Sequence, residues 1–324
     1  MADYKYQQKV YIGSNPVAAV VSGSTGLLSE AKIRQGTTQI QGDSIVTNGL
    51  TAYWDVHNLA SWDGTGGADT ADAYWKDISG NGRHLTSSQN IINSSSIPVY
   101  ATYLGSKCFR IGNLDTGGGS GNVQIPASAA SSVSPAVWYI PSSSLDIQTN
   151  GEYTFEVWCA LAVGAIDSSA ADVSSYKIIS KKDAWGNSNQ VQYALGAGDT
   201  APTVYNAGTV WVQNDDPVSD QSGTSNWDDG YWRLLTVIGD ANNVSFYQNG
   251  QFVNTQVLDN GFRTDTDAPF VIGAEGLSDA APWSRSCPWS GYVSAVRAYN
   301  RKLTAEEIMW NYNQDKEYYE PNIS

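Results

Sequence analysis

The sequence predicts an all-β fold, in which two antiparallel sheets pack as a sandwich with a short C-terminal helix and a small N-terminal β arm. Short apolar segments separated by turn residues recur from about Ile45 onward, as in proteins built of many short strands. The chain has 12 Trp and 19 Tyr, residues that favour sheets and contact surfaces. One clear helix start signal occurs late, at Thr304. Many strands and one late helix together favour a β-sandwich.

The charge balance narrows the classes of partner. The chain has 324 residues, with 18 basic and 32 acidic side chains and a net charge of −14. Nucleic acid and anionic membranes both require clustered Lys and Arg, so neither is expected as a partner. Residues 1–9 lack the apolar core of a signal peptide, and the longest apolar run, Pro16–Val21, is too short to span a bilayer. We therefore expect synthesis in the cytoplasm.

Residues 1–45 are predicted to form an N-terminal attachment arm, and residues 46–324 the sandwich domain. A short strand is expected to end at Ile12, followed by a turn at Gly13–Pro16 and a second strand at Val17–Val21. Segments this short bury too little surface to be stable alone, so we expect them to pack on another body. A disordered leader is the alternative. The residues expected to make the attachment are Lys9, Val10, Tyr11, Ile12, Val17 and Val20.

The first part of the predicted domain alternates strands with turns. Leu50–Trp54 has the composition of a strand, and Tyr74–Asp77 leads into a double turn signal at Ser79–Gly82. Residues 113–148 are low in charge and rich in Ser, Gly and Ala. They predict a long insertion rather than a domain boundary.

The second part carries stronger strand signals. Residues 153–159 alternate with a period of two, and residues 232–238 are nearly all apolar, as in a central strand covered on both faces. Asn249-Gly250 predicts a type I′ turn that joins Val244–Gln248 to the following strand in a hairpin. Two further strands are predicted at Phe270–Gly273 and Tyr292–Tyr299.

One helix is predicted near the C-terminus. Thr304 is a suitable N-cap, and Glu307 completes a capping box three residues later. Leu303 and Ile308 can pack together as a hydrophobic staple across this start. The helix is expected to run to about Tyr312.

Several motifs together resemble a known family. In order they are NGLTAYWD from Asn48, WKDISGNG from Trp75, YTFEVW from Tyr153, IISK from Ile178, YWRLLT from Tyr231, FYQNG from Phe246 and GYVSAVRAYNRKLTAEE from Gly291. Over about Ile45–Asn313 they resemble the laminin-G-like, concanavalin-A-like jelly-roll family. The first two blocks and the last resemble most closely the members found in structural proteins of tailed bacteriophages. The family contains lectins, hydrolases and structural modules, so the resemblance implies a jelly-roll fold but no single function.

Catalysis is not expected from the residue pattern. A retaining glycosidase needs two carboxylates about 5 Å apart, but Glu156 is the one acidic residue of its predicted strand. We interpret it as structural, accepting hydrogen bonds from a neighbouring strand or turn. The two histidines, His57 and His84, follow turn-like segments, have no second His at metal spacing and no plausible Ser or Cys partner, and are expected on the surface or in loops. Cys159 is interpreted as a small buried hydrophobic residue.

Calcium is the one metal considered, and no other cofactor is expected. Asp77 and Asn81 could supply carboxylate and amide oxygens in a turn. The alternative for Asp77 is an Asx-type turn that orders Ser79 and Gly80. In the final strand, family members often carry an acidic residue where this chain has Ser294 or Ala295. That departure weakens the case that the resemblance implies a calcium site.

Two Trp-bearing loops have the composition of a sugar-binding surface. A sugar presents an apolar face rimmed by hydroxyls, so aromatic rings beside amides and carboxylates suit it. Residues 181–190 combine Trp185 with amides and a carboxylate, and residues 281–289 carry Trp283 and Trp289 beside Ser and Arg side chains. Trp in loops also serves packing and protein contacts. The candidate carbohydrate-binding residues are Trp185, Asn187, Asn189, Trp283 and Trp289.

The leading functional hypothesis is a non-enzymatic virion protein of a tailed phage, a surface decoration or appendage anchored by residues 1–45. Its expected partners are other capsid or tail proteins, copies of itself within the particle, and host surface glycans. The first alternative is a carbohydrate-binding adhesin, such as a tail fibre or receptor-binding protein, that recognises host glycans. The second alternative is a polysaccharide hydrolase.

Overall fold

A computed structural model describes most of the predicted sandwich. The described residues are 10–12, 15–17, 32–35, 38–41, 45–64, 74–87, 98–111, 137–140, 145, 151–161, 176–182, 191–198, 209–213, 220–222, 230–240, 242–257, 269–273, 289 and 291–323. They contain twenty β-strands and one α-helix. The fold is therefore mostly β, as predicted.

The strands are numbered in chain order. The first ten are β1 Val10–Ile12, β2 Asn15–Val17, β3 Lys32–Gln35, β4 Thr38–Gln41, β5 Leu50–Asp55, β6 Tyr74–Trp75, β7 Leu85–Ser87, β8 Val99–Tyr103, β9 Ser106–Ile111 and β10 Trp138–Ile140. The second ten are β11 Tyr153–Leu161, β12 Tyr176–Lys182, β13 Val191–Gly198, β14 Thr209–Gln213, β15 Asp220–Ser222, β16 Arg233–Gly239, β17 Asn243–Gln248, β18 Gln251–Val257, β19 Phe270–Ile272 and β20 Gly291–Tyr299.

Two eight-stranded antiparallel sheets form the body. The strand order of the first sheet is β15-β14-β13-β12-β19-β10-β7-β6. The order of the second is β18-β17-β16-β11-β20-β9-β8, with β5 also paired to β20. Strands far apart in sequence are therefore neighbours, as in a jelly roll, and the predicted two-sheet sandwich is confirmed.

The core between the sheets is rich in aromatic residues. Phe109 lies edge-on to the rings of Trp62, Trp75 and Trp138, with ring centroids 4.9 to 5.0 Å apart. Edge-to-face contacts of this kind add to the stabilisation that burial of the rings provides. Cys108 and Cys159 are buried and unpaired within this core, which confirms the interpretation of Cys159.

The central strands of the second sheet are covered on both faces. Every residue of β11, β16 and β20 is buried. The alternation at residues 153–159 is typical of a strand with one exposed face, but in the structure the outer face is covered by the C-terminal helix. Trp158, for example, stacks on Tyr312 of the helix, with ring centroids 5.8 Å apart, and on Tyr319 of the segment that follows it, with centroids 3.9 Å apart.

Helix α1 spans Ala305–Asp315 and is followed by a 3₁₀ turn at Lys316–Tyr318. Its predicted capping box is present, because Thr304 accepts from the Glu307 N–H and Glu307 accepts from the Thr304 N–H. Leu303 and Ile308 share a buried cluster, as the predicted staple requires. The helix continues three residues beyond the predicted end at Tyr312.

The predicted hairpin turn is also confirmed. Asn249 and Gly250 have φ values of +52° and +79°, the positive values of a type I′ turn, and they join β17 to β18. Within the predicted arm, β1 pairs with β2, which begins at Asn15 rather than Val17. The arm's attachment role remains a prediction. In the described part of the chain, no helix has the length and apolar character needed to cross a membrane.

Candidate functional site

A buried polar row lies on the outer face of the second sheet, beneath α1. Arg297 of β20 lies opposite Glu156 of β11 and Tyr53 of β5 in the strand register. Arg297 Nη1 donates to Glu156 Oε2 at 3.1 Å, and Nη2 donates to Oδ2 of Asp315 at the end of α1. The guanidinium carbon lies 4.9 Å from the centre of the Tyr53 ring. One cation therefore connects three strands to the helix.

An amide of α1 completes the row. Asn311 Nδ2 donates to Glu156 Oε2 at 2.8 Å and to the Tyr299 hydroxyl at 3.0 Å, while its Oδ1 accepts from the Val46 N–H at 2.8 Å. Burial raises the pKa of Glu156 to about 7, outweighing the opposite effects of Arg297 and Asn311. Glu156 thus titrates near neutral pH because it is removed from water.

This environment decides how Glu156 can act. Its side chain is 1% exposed and lies between the sheet and α1, so its carboxylate does not face an open groove. The interpretation that it accepts a hydrogen bond from a neighbouring strand is confirmed. Its partner Arg297 was not predicted from the sequence, because Arg297 lies 141 residues away and no local pattern relates the two residues.

Asp77 organises the turn between β6 and β7. Its Oδ1 accepts from the N–H groups of Tyr53 and Ser79, at 3.0 and 2.8 Å, and its Oδ2 accepts from that of Arg83 at 2.9 Å. The Ser79 contact is the predicted Asx-type turn. Asn81 Nδ2 donates to the Thr51 carbonyl at 3.0 Å. Within the described residues, no three His, Cys, Asp or Glu side chains are grouped to hold a metal, and calcium binding at Asp77 and Asn81 stays a prediction.

The two histidines differ in exposure. His84 is exposed, as predicted, and its Nδ1 accepts from the Asp77 N–H at 3.0 Å. His57 is half-buried and stacks on Tyr318, with ring centroids 4.4 Å apart. The expectation that it has no serine partner is wrong, since Ser106 Oγ lies 3.2 Å from its Nε2. That hydroxyl is buried and donates to the Tyr318 carbonyl, which makes it a structural contact.

The predicted carbohydrate-binding residues divide into two groups. Trp289 has 0% exposure and belongs to the main core cluster, so its ring packs in the interior instead of forming an open platform. The others, Trp185, Asn187, Asn189 and Trp283, lie outside the described residues, as do Lys9 and Val20 of the predicted arm. Strands β1 and β2 contain the remaining arm residues, Val10, Tyr11, Ile12 and Val17.

Three exposed apolar side chains lie on segments that the sequence did not predict to be neighbours. Leu104, Tyr231 and Tyr318 are each more than 40% exposed. Their segments are connected, because Asn322 Nδ2 donates to the Leu104 carbonyl and the Asn322 carbonyl accepts from the Trp232 N–H, both at 2.9 Å. No local pattern marks these residues as neighbours, since the C-terminal tail brings them together.

Comparison with solved structures supports the fold assignment. The chain is similar to the binding domain of Paraclostridial Mosquitocidal Protein 1, with a TM-score of 0.52 and 11% identity, over 82% of this chain and 52% of that one. Lower TM-scores relate it to two further domains. For the binding domain of botulinum neurotoxin DC in complex with SialylT, the TM-score is 0.49 at 10% identity, over 82% of this chain and 52% of that one. Domain 4 of AbnA, a GH43 extracellular arabinanase from Geobacillus stearothermophilus, was solved in complex with arabinotriose. Its TM-score is 0.47 at 13% identity, over 81% of this chain and 97% of that one.

These likenesses concern the fold alone, and the chain spans about half the length of the first of these proteins. No curated protein matches the sequence. The Laminin_G_3 family model, which describes the concanavalin A-like lectin/glucanases superfamily, matches residues 117–309, more than half of the chain. The chain therefore belongs to the Laminin_G_3 family of the concanavalin A-like lectin/glucanases superfamily.

Proposed function

We propose that the protein is a carbohydrate-binding module with no catalytic activity of its own. The observation that carries this proposal is its membership of a superfamily of lectins and glucanases. Glu156, the carboxylate that sequence analysis considered for hydrolysis, is buried beneath α1 and bonded to Arg297 and Asn311. That environment favours binding without hydrolysis.

The sugar contacts are assigned to residues 181–190 and 281–289, the segments that the sequence predicts as Trp-bearing loops. Trp185 and Trp283 supply aromatic faces, and Asn187 and Asn189 supply amides for sugar hydroxyls. This assignment rests on composition and chemistry. Trp289 is left out of it because its side chain is buried.

Glycan-array binding by the full chain tests the proposal. We expect binding to at least one surface polysaccharide, and a loss of about tenfold or more in affinity in Trp185→Ala or Trp283→Ala, equivalent to about 1.4 kcal/mol. Tyr74→Ala is the matched control, because Tyr74 is an exposed aromatic residue of β6 outside both loops. Absence of binding across a broad array would overturn the proposal.

A polysaccharide hydrolase is the competing function, since the superfamily also includes glucanases. It requires the release of reducing ends from a polysaccharide, and loss of that release in Glu156→Gln. We expect no release by the wild-type protein. Release that Glu156→Gln abolishes would replace the binding proposal with a catalytic one.

For the whole protein we propose a place on the surface of a tailed-phage particle, made in the host cytoplasm and anchored by residues 1–45. The proposal is supported by the resemblance of the first and last motif blocks to phage structural proteins. Deletion of residues 1–45 tests it. We expect the remainder to fold, by circular dichroism, but to be absent from purified particles. Normal incorporation of the truncated protein would contradict the anchor assignment.

A further inference from the structure

The β17–β18 hairpin has an unusual composition for a surface element. Asn243–Val257 contains no Asp, Glu, Lys or Arg, although charged residues make up 15% of the chain. Six of its fifteen residues are Asn or Gln, and three more carry hydroxyl groups. Edge strands normally carry charges that keep other molecules away, and β18 is the last strand of its sheet in the described order. The hairpin therefore offers a neutral surface rich in hydrogen-bonding groups.

A β-bulge directs three β18 side chains to the same outer face. Phe252 lies opposite Tyr247, Thr255 opposite Ser245 and Val257 opposite Asn243, with a register shift between Phe246 and Tyr247. Positions 243, 245 and 247 of β17 point to one face, so their partners do too. Phe252 is 58% and Val257 66% exposed.

The aromatic and hydroxyl groups on this face have defined geometry. The rings of Tyr247 and Phe252 are nearly perpendicular, at 76°, with centroids 5.5 Å apart. The hydroxyls of Ser245 and Thr255 are 2.8 Å apart and hydrogen-bonded to each other. Each hydroxyl can donate once and accept twice, so this pair still has one donor and several acceptor positions for a ligand.

Helix α1 forms a wall along one side of this face. In the strand register, Tyr247 lies opposite Thr236 of β16, and Thr236 lies opposite Glu156 of β11, which α1 covers. Tyr247 packs with Trp310 against the cluster beneath the helix. The hairpin turn also touches the helix, because a Cβ at Gly250 would lie 3.0 Å from Met309 Cε. A helix is about 10 Å across, so the hairpin face is a shelf beside a raised wall.

We infer that this shelf, formed by Ser245, Tyr247, Phe252 and Thr255, is a second carbohydrate site that takes an uncharged glycan. The inference rests on the proposed carbohydrate-binding function. Phe252 stacks on the apolar face of a sugar ring, and the Ser245–Thr255 pair bonds its hydroxyls. In the described part of the chain, Glu306 of α1 acts electrostatically on Tyr247, and the protein's net charge is −14, so an anionic glycan is disfavoured.

The geometry favours a glycan over a second copy of the chain paired along β18. Strand addition uses backbone groups at the edge of a sheet, in the plane of the strands. The exposed side chains of Phe252 and Thr255 instead project from the sheet face, perpendicular to that direction. The recognition groups therefore suit a ligand that lies on the face beside α1.

Native affinity electrophoresis of the full chain tests the inference. The gels contain dextran, mixed-linkage β-glucan or galactomannan as uncharged probes and polygalacturonate as an anionic probe. We expect retardation by an uncharged probe, weakened about tenfold in Phe252→Ala and severalfold in Thr255→Val, which keeps the shape but removes the hydroxyl. Tyr74→Ala, on the other sheet, should be retarded like the wild type. Because Phe252 and Thr255 are exposed, both variants should fold, which circular dichroism checks.

The possible outcomes separate this inference from the proposed function. Retardation that Trp185→Ala or Trp283→Ala reduces but Phe252→Ala does not would overturn the shelf site and leave the proposed function standing. Retardation by polygalacturonate alone would also overturn the shelf site. No retardation and no glycan-array binding would overturn both. If Phe252→Ala instead converts a dimer to a monomer in sedimentation velocity, with glycan retardation unchanged, the shelf is a contact between copies of the chain and the inference is wrong.

Discussion

Glu156 and Arg297 face each other across β11 and β20, with Oε2 and Nη1 3.1 Å apart and both side chains about 1% exposed or less. A second carboxylate, Asp315, bonds the other terminal nitrogen of the same guanidinium. The arrangement links the centre of the sheet to the end of α1. The helix is therefore held by buried polar groups as well as by the apolar cluster around Leu303 and Ile308.

Replacement of Arg297 should be strongly destabilising. Arg297→Met keeps most of the side-chain volume but leaves Glu156 and Asp315 without their cation in a buried site. Removing one partner of a buried ion pair typically costs about 3–5 kcal/mol. We expect the free energy of unfolding, measured by urea denaturation at pH 8, where Glu156 is mostly ionised in the wild type, to fall by about this amount.

An exposed ion pair supplies the control for Arg297→Met. Lys302 Nζ lies 2.6 Å from Asp240 Oδ2, and the lysine side chain is 45% exposed. Such surface pairs contribute about 0–1 kcal/mol, so Lys302→Ala should change the free energy of unfolding by no more than that. Similar small effects of both substitutions would contradict the view that the buried pair anchors α1.

The raised pKa of Glu156 makes stability depend on pH. Its pKa is about 7 in the folded protein, against an ordinary value of 4.5, because burial disfavours the charged form. Between these values the folded state binds more protons than the unfolded state. The contribution of Glu156 to the free energy of unfolding is therefore full below about pH 4.5 and is lost as the pH rises through 7. Glu156→Gln removes the titration. We expect the variant to gain stability relative to the wild type as the pH rises from 4.5 to 8, by on the order of 3 kcal/mol.

The measurement is urea denaturation of both proteins at several pH values. Subtracting one curve from the other cancels the pH dependence that other groups contribute to both proteins. Asp240 and Glu307 are such groups. Desolvation by burial raises their pKa values, but bonds to Lys302 and Arg301 outweigh it, so both pKa values are lowered in the folded protein. A difference that stays constant from pH 4.5 to 8 would show that Glu156 keeps an ordinary pKa.

Local chemistry explains which parts of the fold could be predicted. The Asn249-Gly250 turn and the Thr304–Glu307 capping box each depend on a few adjacent residues, and both are present. The network around Arg297 could not be predicted, because its partners come from strands and a helix separated by up to 141 residues. Helix α1 also buries the outer face of β11, which its alternating sequence did not reveal.

The same reasoning explains the outcome for the candidate site. The Asx turn of Asp77 depends on Ser79, two residues away, and was predicted. The burial of Trp289 was not, since a loop composition of Trp, Pro and Ser suits exposed and packed positions equally. The Phe252–Tyr247 shelf depends on a bulge and on a helix over fifty residues further along the chain. Neither leaves a signal in the hairpin sequence itself.

A side chain at position 239 should destabilise the fold, because Gly239 leaves no space for a Cβ. Gly239 lies opposite Tyr153 in the register of β16 and β11, and an added Cβ would lie 2.1 Å from the Tyr153 ring. The ring must move into a close-packed core, and overpacking of this kind costs about 1–3 kcal/mol. We expect Gly239→Ala to lower the midpoint of urea unfolding accordingly.

A glycine without close neighbours provides the comparison for Gly239→Ala. Gly82 has a φ of +71° and no atom within 4 Å of an added Cβ, so Gly82→Ala tests backbone strain alone. That strain costs about 1–2 kcal/mol. If Tyr153→Leu frees the space, adding Gly239→Ala to that variant should cost less than adding it to the wild type. Strictly additive effects would show that the Tyr153 ring is not the obstacle.

His57 should remain neutral in the folded protein down to acidic pH. Burial lowers its pKa from 6.5 to about 4, and nearby Lys107 acts in the same direction. Below about pH 6.5 the unfolded state therefore binds a proton that the folded state does not. The contribution of neutral, buried His57 to stability is thus lost as the pH falls toward 4.

Proton NMR of the imidazole resonances measures the pKa of His57 directly. In His84→Gln the remaining imidazole signal belongs to His57, because the chain has two histidines. Tyr318→Ala uncovers the ring that stacks on Tyr318 and should move the His57 pKa back toward 6.5. A wild-type midpoint near 6.5 would mean that the tail around Tyr318 does not cover His57 in solution.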